Sequence, residues 1–252
     1  MSLLQATDLR IAFGGINAVD GASLSVEKGE LLGLIGPNGA GKTTFINLLT
    51  GVLRPQRGCI RLRGLDITGL PTDQRVRAGL VRTHQIVRPF ARLSVIENVT
   101  LAAGKRRTAS ALRSLFEFRR EHELKIALAI LDRLGLADVR DRNPTELPLG
   151  QLKRLEVARA LALDPEIIFL DEPLAGLNQR EASALARTIV ELNKGGLTIV
   201  LVEHNLAEIL RISSRLAVLN RGSILAEGPS DVVINLPEVR DAYIGETRDV
   251  HA

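Results

Sequence analysis

The chain has 252 residues, 45% of them apolar and 25% charged, with 33 Lys and Arg against 29 Asp and Glu for a net charge of +4. That length supports one large core, or one domain with a subdomain, and the composition excludes bulk disorder. There is no apolar run long enough for a membrane-spanning helix, and the opening MSLLQATDLR lacks the basic-then-apolar pattern of a secretory signal. Aromatics are only 3% and no basic run interleaves with them, so no nucleic-acid partner is expected despite a pI of about 9.6. The single cysteine, Cys59, forms no internal disulfide and fits a reducing cytosol.

The first 65 residues read as short strands: LLQATDLRIAF, AVDGASLSVE, LLGLIG and GCIRLRG, parted by turn residues such as Gly14-Gly15 and Glu27-Lys28-Gly29. Cys59 falls in the last of these as a buried position. Within this region stands GPNGAGKTT, residues 36–44. Gly36, Pro37, Asn38, Gly39, Ala40 and Gly41 form a loop after a buried strand, and Lys42, Thr43 and Thr44 open the helix that follows. The spacing G-x-x-x-x-G-K-[ST] is that of a phosphate-cradling P-loop. Glycines allow positive φ and bring backbone N–H groups close to an anion at a helix start. Lys42 is placed to reach the β- and γ-phosphates, and the Thr43 hydroxyl to bind Mg²⁺.

Residues 94–136 read as helical, with a basic, irregular middle near 104–109 and apolar residues at Leu124, Leu128, Leu131 and Leu134. The arginine pairs at 106–107 and 119–120 read as solvated. In LPLGQLKRLEVARALA, residues 147–162, a turn leads into a helix with Leu152, Leu155, Ala158 and Leu161 on one face. That is a second helix start suited to an anion. EIIFLDEP (166–173) and LTIVLVEH (197–204) read as buried strands with polar ends, joined by the helix REASALARTIVELNKGG. Strand, helix, strand in this order predicts a parallel sheet with crossover helices. The P-loop, Asp171-Glu172 and His204 then converge on the C-terminal strand ends, where such folds bind ligands. Asp171 is placed to bind Mg²⁺, and Glu172 to polarise a water toward a γ-phosphate.

These stretches resemble the nucleotide-binding subunits of ABC transporters. GPNGAGKTT and IIFLDEP are shared by that family, and LPLGQ stands where its signature turn is usually L-S-G-G-Q. Gln85 in RTHQIVRPF matches the Q-loop, LAGLN (174–178) the D-loop, and His204 in VEHNL the switch histidine. FGGINAVDG, RTHQIVRPF, DEPLAGLN and NLPEVRDAYIGE are similar, more narrowly, to the longer ATPase subunit of branched-chain amino-acid importers. Urea and amide importers and the lipopolysaccharide exporter share the pattern to varying degrees. The resemblance implies a single α/β ATP-binding domain over residues 1–252, a P-loop core with a parallel sheet and an N-terminal antiparallel β region. It also implies a helical subdomain at roughly 86–155 and a family-specific tail at 228–252.

The resemblance assigns roles as well. Phe13 would stack on adenine with Val19 packing nearby. Gln85 would contact Mg²⁺ or the attacking water, alongside Thr43 and Asp171. His204 would hydrogen-bond the γ-phosphate, and Glu172 would be the base or water-orienting group. Leu147, Pro148, Leu149, Gly150 and Gln151 would act across a dimer, and Asn178 would face the opposite subunit. ATP and Mg²⁺ are the implied cofactors. The implied partners are membrane permease subunits, a second ATPase subunit (identical or paralogous) and a periplasmic-type binding protein, at the cytoplasmic face of the membrane. Pro148, Leu149 and His84 depart from the family pattern, since a serine, a glycine or tyrosine, and a phenylalanine are usual there. Two other classes fit less well. A soluble ABC ATPase of DNA repair or translation usually carries a coiled-coil insert or two ATPase halves. A P-loop GTPase needs N-K-x-D, and NKGG at 193–196 lacks the acid.

Overall fold

Two long strands, β1 (Ser2–Phe13) and β2 (Ile16–Glu27), pair antiparallel through a two-residue turn at Gly14 and Gly15. Both glycines have positive φ, 55° and 86°, as a twist-matched hairpin turn requires. β4 (Arg57–Leu62) and β5 (Leu65–Asp66) extend this sheet in the order β2-β1-β4-β5. The computed structural model describes residues 2–83, 89–104, 121–203 and 206–244.

The second sheet has the order β10-β9-β3-β8-β7-β6. Its strands are β3 (Leu31–Ile35), β6 (Leu80–Arg82), β7 (Ile167–Asp171), β8 (Thr198–Val202), β9 (Arg215–Asn220) and β10 (Ser223–Pro229). All neighbours are parallel except the edge pair β9–β10. The central strands are buried on both faces, and strict alternation divides them between two cores. Ile168, Leu170, Ile199 and Leu201 face one core, Ile167, Phe169, Val200 and Val202 the other. The first core joins the sheet to the helices and the second to the antiparallel sheet and to α1 (Lys42–Leu49).

Among the described residues the remaining helices are α2 (Thr72–Arg77), α3 (Val95–Ala103), α4 (Glu121–Arg133), α5 (Leu149–Ala162), α6 (Gln179–Lys194), α7 (Leu206–Ile212), α8 (Ser230–Val233) and α9 (Pro237–Ile244). α3, α4 and α5 pack on one another, and α5 also meets α6. The expected subdomain limit near residue 155 falls inside α5, which runs unbroken to Ala162. In the tail, Val233 and Val239 are buried in the first core. None of the helices is long and apolar enough to cross a membrane, among the described residues. Cys59, expected to be buried, is only half-buried near the edge of the antiparallel sheet.

One buried cation fixes the far end of the P-loop helix. Arg75 on α2 is 1% exposed and donates to the carbonyls of Leu48 and Leu49, each at 2.7 Å, and to those of Thr68 and Leu70, each at 2.9 Å. The last carbonyls of a helix lack intrahelical partners, and a guanidinium satisfies several at once. Burial lowers the Arg75 pKa to about 10, against a small opposing pull from Asp66.

Candidate functional site: a phosphate loop facing an acidic strand end

The loop between β3 and α1 depends on two close backbone approaches. A Cβ at Gly36 (φ +154°) would lie 2.1 Å from the Leu219 carbonyl oxygen of β9, and one at Gly41 (φ +97°) would lie 2.3 Å from that of Ala18 on β2. Only glycine fits either position. The loop is also tied from outside. The Gly222 N–H donates to the Ala40 carbonyl at 2.9 Å, and the Asp20 N–H donates to the Gly222 carbonyl at 2.8 Å. The β9–β10 turn thus clasps the loop to β2.

Lys42, 8% exposed, donates from Nζ to the carbonyls of Gly36 at 2.6 Å and Pro37 at 2.8 Å. α1 starts without a side-chain cap, so its first N–H groups open toward solvent. They open on a cavity of about 470 Å³ whose lining includes Asn38, Gly39, Lys42, Thr43, Asp171 and Glu172. Ala40, Gly41 and Thr44 line it too. A triphosphate needs such a shape: backbone donors, one ammonium, a hydroxyl, and acids across the gap.

Asp171 ends β7 and is held from behind. Its Oδ2 accepts from Arg82 at 2.6 Å in a buried ion pair, and its N–H donates to the Thr83 hydroxyl at 3.2 Å. Arg82 also donates to the Asn47 side chain of α1, so the strand that precedes residue 85 is linked to both halves of the site. Glu172 adopts φ +49°, a left-handed conformation that is strained for a non-glycine residue. Its N–H donates to Val202 O at 2.9 Å, and its carbonyl accepts from Lys153 Nζ at 2.9 Å.

The two residues assigned to the adenine are not in the lining of this cavity. Phe13 is half-exposed at the end of β1 and is not among the residues lining the cavity; its pairing partner Ile16 is. Val19 is 1% exposed within the second core, while Ala18 and Asn17 line the cavity. Gln85, His84 and His204 lie outside the described residues.

The signature turn does not line this cavity. Leu147 is buried, Pro148 and Leu149 are exposed, and Gln151 is half-buried. Pro148 is the N-cap residue of α5 and has no side chain able to cap, so this helix start is also open. The Gln151 and Leu152 N–H groups return to the Pro148 carbonyl at 3.0 and 3.1 Å. A Cβ on Gly150 would lie 2.9 Å from a Glu181 side-chain oxygen, so the turn packs against the start of α6. Asn178 closes that start. Its Oδ1 accepts from the N–H groups of Arg180 and Glu181, both at 3.0 Å, while Glu181 reaches back to the Asn178 N–H.

Sequence reasoning missed Ile16, Arg82, Gly222 and Lys153. A signal existed for Arg82: a charge ending the apolar strand LVR needs a buried partner, and Asp171 ends the adjacent strand. Gly222 and Lys153 gave none, because their partners are distant in sequence.

The sequence pattern of the family described as ABC transporter matches residues 19–175. The high-affinity branched-chain amino acid transport ATP-binding protein LivG of Salmonella typhimurium is 42% identical over 97% of this chain and 98% of its own. BraF of Pseudomonas aeruginosa, with the same description, is 39% identical over 97% and 98%. A crystal structure of an ATP-binding cassette of an ABC transporter in its ADP conformation superposes with a TM-score of 0.85 at 35% identity, covering 97% of this chain and 99% of that one. Fold, phosphate loop and near-complete coverage of these relatives agree, and the chain belongs to the ABC transporter family as an ATP-binding subunit.

Proposed function

We propose that the chain is the ATP-hydrolysing subunit of an importer for branched-chain or related amino acids, working as a head-to-tail dimer beneath membrane permease subunits. The observation that carries this reading is the division of the site. The open helix start of α1 lines the cavity with Asp171 and Glu172, whereas that of α5, with the signature turn, is not part of its lining. A second subunit, identical or paralogous, would bring its residues 147–151 over the nucleotide, completing each site in trans. The cargo follows from the relatives alone, since LivG and BraF are described as branched-chain amino acid transport ATP-binding proteins. A periplasmic-type binding protein would deliver that cargo.

Within one subunit, Lys42 and the N–H groups of residues 38–44 bind and orient the β- and γ-phosphates, and Glu172 orients the attacking water. Gln85 and His204 are assigned to the water and the γ-phosphate by their motifs. The residues present fit Mg²⁺. The Thr43 hydroxyl and the Asp171 carboxylate are hard oxygen donors beside one cavity, and no cluster of three or more acidic, His or Cys side chains competes among the described residues. When bound, Mg²⁺ supplies neutralisation of the phosphate charge. For the permeases, the stretch 88–99 offers a docking surface. Phe90 is 48% exposed, sits under the Arg159 guanidinium at 5.0 Å, and lines a cleft of about 370 Å³ with Val52 and Leu101. Arg88 lies outside the described residues.

The test is Glu172→Gln. Binding of Mg-ATP should persist, because Lys42, Thr43 and Asp171 remain, while hydrolysis falls on the order of 10²–10³. With ATP retained, the variant should form a dimer by light scattering, alone or only with a paralogous subunit, and be monomeric with ADP. A wild-type hydrolysis rate refutes the role of Glu172, and a monomer with every partner refutes the sandwich. A cysteine at Arg92 should crosslink to a cytoplasmic helix of a permease.

A further inference from the structure

We infer that Lys153 is a positioning residue for hydrolysis: its ammonium holds the backbone of Glu172 and ties it to the signature helix. The inference rests on the reading of Glu172 as the group that orients the attacking water.

The geometry is specific. Lys153 lies on α5 just after the signature turn, yet it is 7% exposed and points back into the molecule. Its Nζ donates to the Glu172 carbonyl at 2.9 Å. The Glu172 N–H is held by Val202 O at 2.9 Å, and its carbonyl also accepts from the Ala175 N–H at 3.3 Å, so both backbone groups of a residue at φ +49° are clamped. A strained conformation persists only where its surroundings over-determine it. Removing the charged donor, the shorter of the two contacts to the Glu172 carbonyl, would loosen that clamp and let the carboxylate swing.

The electrical setting is unusual for a lysine. Burial lowers its pKa, and the charges of Glu203, Glu172, Asp171 and Glu156 oppose that. Glu203 is 3% exposed, and its Oε1 accepts from the Leu174 N–H at 2.8 Å, at the start of the 174–178 segment. Glu203 also immediately precedes His204. The ammonium therefore stands where α5, the end of β7 and the end of β8 meet. If this were only packing, an apolar side chain of similar length would serve at lower desolvation cost. A movement of α5, when its turn engages a ligand on another subunit, would reach Glu172 through this contact.

The experiment uses the full-length chain. Lys153→Met should lower kcat about 10- to 100-fold, the scale for losing a group that orients a reacting one. ATP affinity should stay within about twofold, since the phosphate loop is untouched. Lys153→Arg, which keeps a donor, should recover part of the rate. Because Lys153→Met leaves Glu203 buried without its cation, Lys153→Met with Glu203→Gln balances the charge and should stay slow though well folded. In a Glu172→Gln background, Lys153→Met should slow the residual hydrolysis no further. A charge-balanced variant within about twofold of the wild-type kcat overturns the inference, as does a full additional loss in the Glu172→Gln background. Slow Glu172→Gln with fast Lys153→Met removes this inference alone. A fast Glu172→Gln removes the reading of Glu172 on which it stands.

Discussion

The helix starts of α1 and α5 differ from those of α3 and α6 in one respect. α3 opens on Ser94 and α6 on Asn178, each in a reciprocal capping box with the glutamate three residues on, Glu97 and Glu181. α1 opens on Gly41 and α5 on Pro148, and neither has a side-chain cap. Satisfying orphan N–H groups internally stabilises a fold, whereas leaving them open keeps donors and positive dipole for an outside anion. The short helices α2 and α8 also start uncapped, on Pro71 and Pro229, but the starts of α1 and α5 are the ones that the proposed function uses. The open starts also differ from each other. α1 has its cavity, its lysine and its acids within the same chain. α5 has an exposed Leu149 and a proline at its tip, and in the proposed dimer its anion comes from the other subunit.

Three substitutions sharpen this comparison. Lys42→Ala should have the largest effect, because it removes the charge at the open start of α1. Loss of a hydrogen bond to a charged group, about 1.5–3 kcal/mol, weakens ATP binding at least ~10-fold by calorimetry. Affinity within twofold of wild type would show that the N–H groups alone bind the triphosphate. Pro148→Ser follows. A hydroxyl at the tip of α5 adds one donor toward a γ-phosphate across the dimer, of value nearer the lower bound of about 1.5 kcal/mol because the turn must adjust. ATP-dependent dimerisation should tighten by up to roughly tenfold in sedimentation analysis, and no change would mean that the backbone of Leu149 and Gly150 already supplies the contact. Asn178→Ala is the smallest. It breaks the capping box of α6 and should cost about 1 kcal/mol in urea denaturation. A cost near zero would mean that water replaces the cap.

Much of the architecture was legible. The parallel core announces itself because IIFL and IVLV are short, wholly apolar and separated by one amphipathic helix, and only a sheet covered on both faces needs such runs. The strands near the start were legible from alternation and glycine turns. β5, β6 and α2 were not predicted, because two- and three-residue strands and a six-residue helix carry too few periods to register; the longer β9 and β10 were not predicted either. α5 misled in a different way. Its stripe of Leu152, Leu155, Ala158 and Leu161 implied one buried face, but the helix is wedged among α3, α4 and α6 and also buries Lys153, Glu156 and Val157.

At the site, the sequence by itself determined the pattern of the phosphate loop, because the residues that form it lie within nine consecutive positions. It also determined that Asp171 and Glu172 end a buried strand. Only the tertiary structure decided what holds them. Arg82 meets Asp171 across 89 residues, Lys153 meets Glu172 across 19, and Gly222 reaches Ala40 from the far edge of the sheet. A chain encodes its periodicity and its turns locally, but the partner of a buried charge is fixed by how separate elements pack, and no local pattern carries that information.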